Sequence, residues 1–373
     1  MKTPNPFVII LALIVFHCSV AQNTEQELDW HIASHLSEHE EQPVANILVY
    51  LENGKTDFVY NKGLGQLSVT NEMPVQKDSP FKIASVTKMF TATLILQLVE
   101  EGKFKLNDKA IDLIGDIDYV QFDKLMRIKD NSYGSEITVR QLLNHTSGLA
   151  DLFTDTQEEF MGTFFENPQK QWTTEDLFDL YYDFNLNKRA HFKPGKDFYY
   201  SDVNYFLLGL IIEKCSKLPL AQAYRTYILE PAGMKNTYFE YHENSTNPLP
   251  FPSSYMGHIE IHQELNTSFD WAGGGLVSTT YDLNLFMKAL FNGKLIKDKS
   301  LFEEMISESG DRYGYGLILY SFDDVRFYGH SGFWGSGVYY NPDLEICMVI
   351  SVNQTDVPFS NREFMRGIFD LIK

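Results

Sequence analysis

The stretch from Val86 to Val99 is apolar almost all the way round a helix, so the chain must build a core around that helix. At its head stand Ser85 and Lys88, three residues apart, which puts a hydroxyl and an amine on one face of the first turn. A serine hydroxyl is a weak nucleophile until a neighbour takes its proton, and a lysine does so only when burial makes it neutral. The apolar helix supplies that burial, and unpaired N–H groups at a helix N-terminus favour negative charge developing at Ser85. The same spacing occurs at Ser79 and Lys82, but Pro80 favours an extended or helix-initiating geometry and no long apolar helix follows. Nothing is therefore expected to desolvate Lys82. Taken alone, Ser85 reads equally as an N-cap and Lys88 as a surface residue; the rest of the chain has to decide.

The ends of the chain bear on compartment. Lys2, the apolar run Phe7 to Phe16, and Ser19-Val20-Ala21 read as a signal peptide over residues 1–21, so export to the periplasm or the extracellular space is expected. The run is too short to span a bilayer comfortably, and no later one reaches that length, so no stable membrane span is expected. His17 stands where a lipobox wants a small residue, which argues against anchoring at Cys18. Cys215 and Cys347 are far apart, and sequence leaves their pairing open. A net charge of -19 sets nucleic acid aside as a partner.

In chain order, Glu25 to Glu41 reads as a helix, followed by strands at Val44 to Leu51 and Thr56 to Tyr60 around an Asn-Gly turn. Within that helix His35-Leu36-Ser37-Glu38-His39, extended by His31, matches a zinc-peptidase pattern. No third ligand offers itself and the segment lies at a fraying end, so a solvated amphipathic face is the better reading and no metal is expected. Residues 104–265 are rich in Asp, Asn, Tyr and Phe, with helical patterns broken by prolines. His145 follows a short helix and is read as bonding backbone rather than as catalytic. Tyr200, after a Pro-Gly turn and before the apolar run Phe206 to Ile212, is either core or a proton carrier. Gly273-Gly274-Gly275 suggests backbone passing close to a ligand or another chain, without the Gly-Lys-Ser/Thr of a phosphate loop. Strands are expected at Tyr315 to Tyr320, Arg326 to Gly329, Gly337 to Tyr340 and Glu345 to Val352, with a closing helix Asn361 to Ile372. On a strand edge, His330-Ser331-Gly332 could present a cation or donor and leave room beside Gly332.

Three segments together resemble the penicillin-recognising serine hydrolases: serine β-lactamases, low-molecular-mass penicillin-binding proteins, DD-peptidases and related esterases. Ser85-Val86-Thr87-Lys88 matches the first motif, Tyr200-Ser201-Asp202 the second, usually Tyr-x-Asn, and His330-Ser331-Gly332 the third, usually Lys-Thr-Gly. The likeness extends over about residues 40–355, in the family's order. It implies an α/β (α+β) β-lactamase/transpeptidase-like fold: an antiparallel sheet flanked by N- and C-terminal helices with a mostly helical insertion. One domain over 22–373 is then expected, with the sheet in 22–103 and 266–373 and the insertion in 104–265.

The resemblance further implies that Ser85 forms an acyl-enzyme, Lys88 and Tyr200 share the proton relay, and the Ser85 and Phe333 N–H groups form the oxyanion hole. Asp202, His330, Ser331, Gly332 and Phe333 would bind substrate; no cofactor is implied. Partners would be small-molecule or peptide substrates, cell-wall peptides among them, with the oligomeric state left open. Two departures matter. Asp202 stands in place of Asn, and its carboxylate near Lys88 would hold the amine protonated unless it points elsewhere or Tyr200 carries more of the base role. His330 in place of Lys removes a permanent cation for a β-lactam carboxylate, which tilts the reading toward D-Ala-D-Ala carboxypeptidase-like or esterase-like hydrolysis. A β-lactamase proper and a non-catalytic binding or assembly protein on the same fold remain the alternatives. The residues Trp172, Tyr181 and Tyr182 offer an apolar wall for the pocket.

Overall fold

The computed structural model describes residues 22–245, 247–261 and 265–373. The signal segment expected over 1–21, Cys18 included, lies outside them. Strand β1 (Asn46–Asn53) shows how the fold is organised, because its side chains feed two cores in alternation. Ile47, Val49 and Leu51 enter one cluster, while Leu48 and Tyr50 enter the other. A sheet covered on both faces reads as a continuous apolar run, which is what β1 is.

The elements that place the site follow in chain order. A helix α1 spans residues 22–33. After β1 come β2 (Phe58–Ser68), β3 (Asn71–Pro74), β4 (Phe81–Lys82) and α2 (Thr87–Glu100). The mostly helical middle of the chain includes α3 (Asp202–Ser216) and the short strand β5 (Tyr238–Phe239). The chain then returns through β6 (Leu276–Ser278), α4 (Thr280–Phe291), β7 (Ile318–Phe322), β8 (Val325–Ser331), β9 (Ser336–Asn341), β10 (Ile346–Ser351) and α5 (Asn361–Ile372). The main sheet has seven strands in the order β7-β8-β9-β10-β1-β2-β3, antiparallel at every pairing. A smaller sheet, β4-β6-β5, carries the chain into the nucleophile turn.

Helices α1 and α5 cover one face, with Leu28, Ile32, Phe364 and Ile368 against Val49 and Met348. Helices α2 and α4 lie in the core on the other face, where Phe90 stacks on Phe286 with centroids 3.9 Å apart. Strands β7 to β10 and α5 stand close to where the sequence puts them.

The N-terminal helix does not reach Glu41. It stops at residue 33 because Ser37 and Val44 exchange backbone hydrogen bonds in an antiparallel bridge, at 3.1 and 2.8 Å. His35 and His39 therefore share no helical face; His35 instead directs Nδ1 at the His31 carbonyl, 2.8 Å away, and packs on Phe359 and Phe364. The first hairpin has a longer loop than an Asn-Gly turn, since Asn53 pairs with Phe58 and Asp57 takes φ 55°. Cys215 and Cys347 are both free thiols. Among the described residues no helix is long and apolar enough to cross a membrane.

Ile368 joins α5 to the sheet and is fully buried. Ile368→Ala is expected to destabilise the protein by about 2–5 kcal/mol, measured by urea denaturation.

Candidate active site

The chain leaves β4 through Ala84, held in the left-handed region at φ 43°, and enters a 3-10 turn at Ala84–Val86 that runs directly into α2. Ser85 sits in that turn, one step ahead of the α-helix proper, and opens onto a cleft of about 510 Å³. Lys88, in the first turn of α2, is fully buried. Its Nζ donates to Ser85 Oγ at 3.1 Å, to the Gly273 carbonyl at 2.8 Å and to Asp202 Oδ1 at 2.5 Å. Asp202 thus does not point elsewhere: three acceptors take up the ammonium's three protons, and Lys88 is held charged.

The glycine run explains itself here. A Cβ on Gly273 would lie 2.6 Å from Asp202 Oδ1 and 3.4 Å from Lys88 Nζ, so only glycine lets this backbone carbonyl reach the ion pair. The close approach of Gly273 is to the protein's own charges, and Gly273 and Gly274 also line the cleft. Gly332 is similar, because a Cβ there would meet the Ile83 carbonyl at 2.3 Å and Ser336 Oγ at 2.2 Å. It locks the end of β8 against the nucleophile turn and lines the cleft as well.

Tyr200 lies at the start of α3, with its ring centroid 5.0 Å from Lys88 Nζ. Its hydroxyl is buried and, with Ser85 beside it, makes no well-formed hydrogen bond among the described residues. Burial, and next the charge of Asp202, push the phenol well above its usual range, while Ser85 beside it pulls the other way. His145 is neutral and structural, as its place after a helix suggests: Nδ1 receives the Ser201 N–H at 3.2 Å and the Asn204 amide at 3.0 Å. Its ring lies against Tyr200, centroids 4.3 Å apart, and fixes that phenol from behind. Burial, followed by the Lys88 charge, keeps its pKa well below the ordinary histidine value.

Of the cation or donor that His330 could present, the cation is ruled out by its surroundings. It is buried, and burial followed by the charge of Lys88 pulls its pKa down to about 3. Its Nδ1 lies 2.6 Å from the Ser331 carbonyl and must carry the proton; Nε2 then accepts from the Tyr313 hydroxyl at 3.1 Å. Ser331, Gly332 and Phe333 line the cleft with it, Phe333 being an exposed aromatic at the mouth. Among the described residues the Phe333 N–H makes no hydrogen bond, and the Ser85 N–H lies at the start of a 3-10 turn, where the turn itself supplies none.

Several residues escaped the sequence reading. Asp151 caps α3 by accepting the Asp202 N–H at 2.7 Å, and burial, then the Asp202 charge, raise its pKa to about 7. The apolar wall consists of Phe153, Phe160, Phe164 and Phe269, not Trp172, Tyr181 and Tyr182. Trp172 is buried behind the wall, and the two tyrosines hydrogen-bond the Leu125 and Val120 carbonyls. Lys82, expected in water, is buried in an ion pair with Glu240 and donates to Thr267 Oγ1 at 2.9 Å. That second Ser-x-x-Lys copy is desolvated after all, but its lysine is turned away from any serine and committed to a carboxylate. Asp270, three residues before the glycine run, also lines the cleft; its place in the segment that leads into those glycines is the signal the sequence held.

The fold and this cleft together define the class of β-lactamase/transpeptidase-like serine hydrolases. The chain belongs to the β-lactamase family, whose model matches residues 35–367. Among curated proteins it is 29% identical over 332 residues to penicillin-binding protein 4* of Bacillus subtilis, covering 82% of this chain and 66% of that protein. The chain thus spans about two thirds of that relative's length. Among solved structures it resembles a D-stereospecific amidohydrolase from Streptomyces sp., at 25% identity and a TM-score of 0.72, covering 95% of this chain and 98% of that one. An octameric penicillin-binding protein homologue from Pyrococcus abyssi aligns at 25% identity and a TM-score of 0.70 over 94% of this chain and 76% of that one.

A methyl group on Gly273 must displace the Asp202 carboxylate. Gly273→Ala is expected to lower kcat/KM for any ester substrate about tenfold or more, and to lower the urea midpoint as well, because the Lys88 charge loses its partner.

Proposed function

We propose that the protein is an exported hydrolase that cleaves amides or esters through an acyl-enzyme on Ser85. The observation that carries this reading is the contact of Ser85 Oγ with a Lys88 ammonium buried behind it, outside the cleft lining, beside a buried Tyr200 hydroxyl that has no other partner among the described residues. Lys88 steadies the oxygen as it becomes nucleophilic. The base role then falls to Tyr200, which is protonated at rest. As Ser85 Oγ bonds to the carbonyl carbon, its proton passes to the Tyr200 oxygen while Tyr200 gives its own proton to the departing nitrogen or oxygen. The C–N or C–O bond breaks, and the tyrosine ends in the state in which it began. The free N–H groups of Ser85 and Phe333 receive the carbonyl oxygen. Water reverses the same relay to release the acid.

No Lys or Arg lines the cleft among the described residues; its charged lining groups are Asp202 and Asp270. An acidic cleft disfavours a carboxylate-bearing substrate, which moves the reading away from β-lactam hydrolysis and D-Ala-D-Ala carboxypeptidase action. It favours amide or ester hydrolysis, in keeping with the amidohydrolase activity in the name of the Streptomyces relative.

A fluorophosphonate is expected to label the protein at Ser85, and Ser85→Ala to abolish both labelling and turnover; labelling that survives Ser85→Ala contradicts the assignment. Tyr200→Phe is expected to lower kcat/KM by about 10²–10⁴-fold, read from ester hydrolysis. Asp202→Asn removes the charge that, after burial, raises the Asp151 carboxyl. Asp151 then ionises at lower pH, so the acidic limb of the kcat/KM profile is expected to move to lower pH, and an unmoved limb would sink the coupling.

A further inference from the structure

Asp270 stands out once the charges in and around the cleft are paired off. Lys88 is matched to Asp202, and Lys82, the nearest other cation, is matched to Glu240 and Thr267. Asp151 is surrounded by donors: the N–H groups of Asp202, Phe153 and Thr154 and the Thr154 hydroxyl. Among the described residues no hydrogen bond and no ion pair reaches the Asp270 carboxylate, although it is half-buried and lines the cleft that Ser85 opens onto. It is folded over Gly274, where a Cβ would meet its side-chain carbon at 3.2 Å, so the glycine leaves it the space it occupies.

A carboxylate in such a place costs free energy unless something compensates it. Burial raises its pKa to about 7, with Lys82 only partly offsetting the effect. An arriving cation would restore the charged form and make a charge-assisted hydrogen bond that the protein itself does not supply. The surroundings narrow the ligand further. Asp270 follows Phe269, whose ring packs against Phe153, Phe160 and Phe164 with centroids 5.6, 5.0 and 5.1 Å away. An apolar aromatic wall and an uncompensated acid therefore adjoin each other in the cleft that holds the nucleophile.

We infer that Asp270 is a specificity residue that receives a substrate ammonium, and that the preferred acyl group is an amino acid with a free amine and an apolar side chain seated on the Phe269 wall. This inference rests on the proposed acyl-enzyme chemistry at Ser85 and adds the substrate class to it. Asp270 takes no part in the proton relay and positions the acyl group only.

The test compares phenylalanine p-nitroanilide, in both enantiomers, with 3-phenylpropionyl p-nitroanilide, which differs only in lacking the amine. The protein is expected to favour the better amine-bearing enantiomer in kcat/KM by about tenfold or more, and Asp270→Asn to bring that ratio down toward one. A second measurement uses the unaltered protein: 2-phenylethylamine should protect Ser85 from fluorophosphonate labelling, whereas 3-phenylpropionate should not. A ratio near one in the unaltered protein, a ratio unmoved by Asp270→Asn, or equal protection by the two ligands overturns the inference while leaving the hydrolase reading intact. Failure of the fluorophosphonate to label Ser85 at all overturns the hydrolase reading itself.

Discussion

The buried pair between Lys88 and Asp202 is the interaction on which the site depends. Taking two charges out of water costs several kcal/mol per ion, offset only when geometry is good and the remaining donors find acceptors. Here the partners come from three distant segments: α2 brings the lysine, the start of α3 the carboxylate, and the glycine run the third acceptor. Each requirement leaves a mark on the sequence. The apolar helix excludes water, Gly273 keeps the carbonyl within reach, and Asp151 holds the N-terminus of α3 in register. In the proposed chemistry the arrangement has a consequence, because a lysine with three acceptors steadies an oxygen and leaves its proton to Tyr200.

The neighbouring groups follow from that charge. His330 and His145 both sit in its field and behind apolar packing, and both are neutral for those two reasons. The third motif therefore contributes a wall and a backbone N–H where a lysine would contribute a cation. With no cation lining the described cleft, the two lining carboxylates set its character, and one of them lacks a partner. On the inference drawn above, substrate choice turns on which positive group meets Asp270, and not on which carboxylate a lysine would hold.

Much of this was legible in the chain itself. The apolar helix behind Ser85, the strands near the C-terminus and the closing helix are local patterns, and the order of three short motifs pointed to the fold. What the sequence hid was set by contacts between distant segments. The bridge from Ser37 to Val44 shortens the first helix, and the pairing of Lys82 with Glu240 buries a lysine that its own neighbours give no reason to bury. The aromatic wall likewise depends on how the segments around Phe153 and Phe160 meet Phe269, which no local spacing encodes. Asp202 was visible as a departure from Asn, but whether its carboxylate faces Lys88 is a fact of three dimensions.

The central claim is covalent chemistry at Ser85. It is tested most directly by acid-quenching the protein during turnover of an activated ester and measuring the intact mass. A species heavier by the acyl group is expected, with the increment mapping to the peptide that contains Ser85. Turnover with the increment on another residue would contradict it.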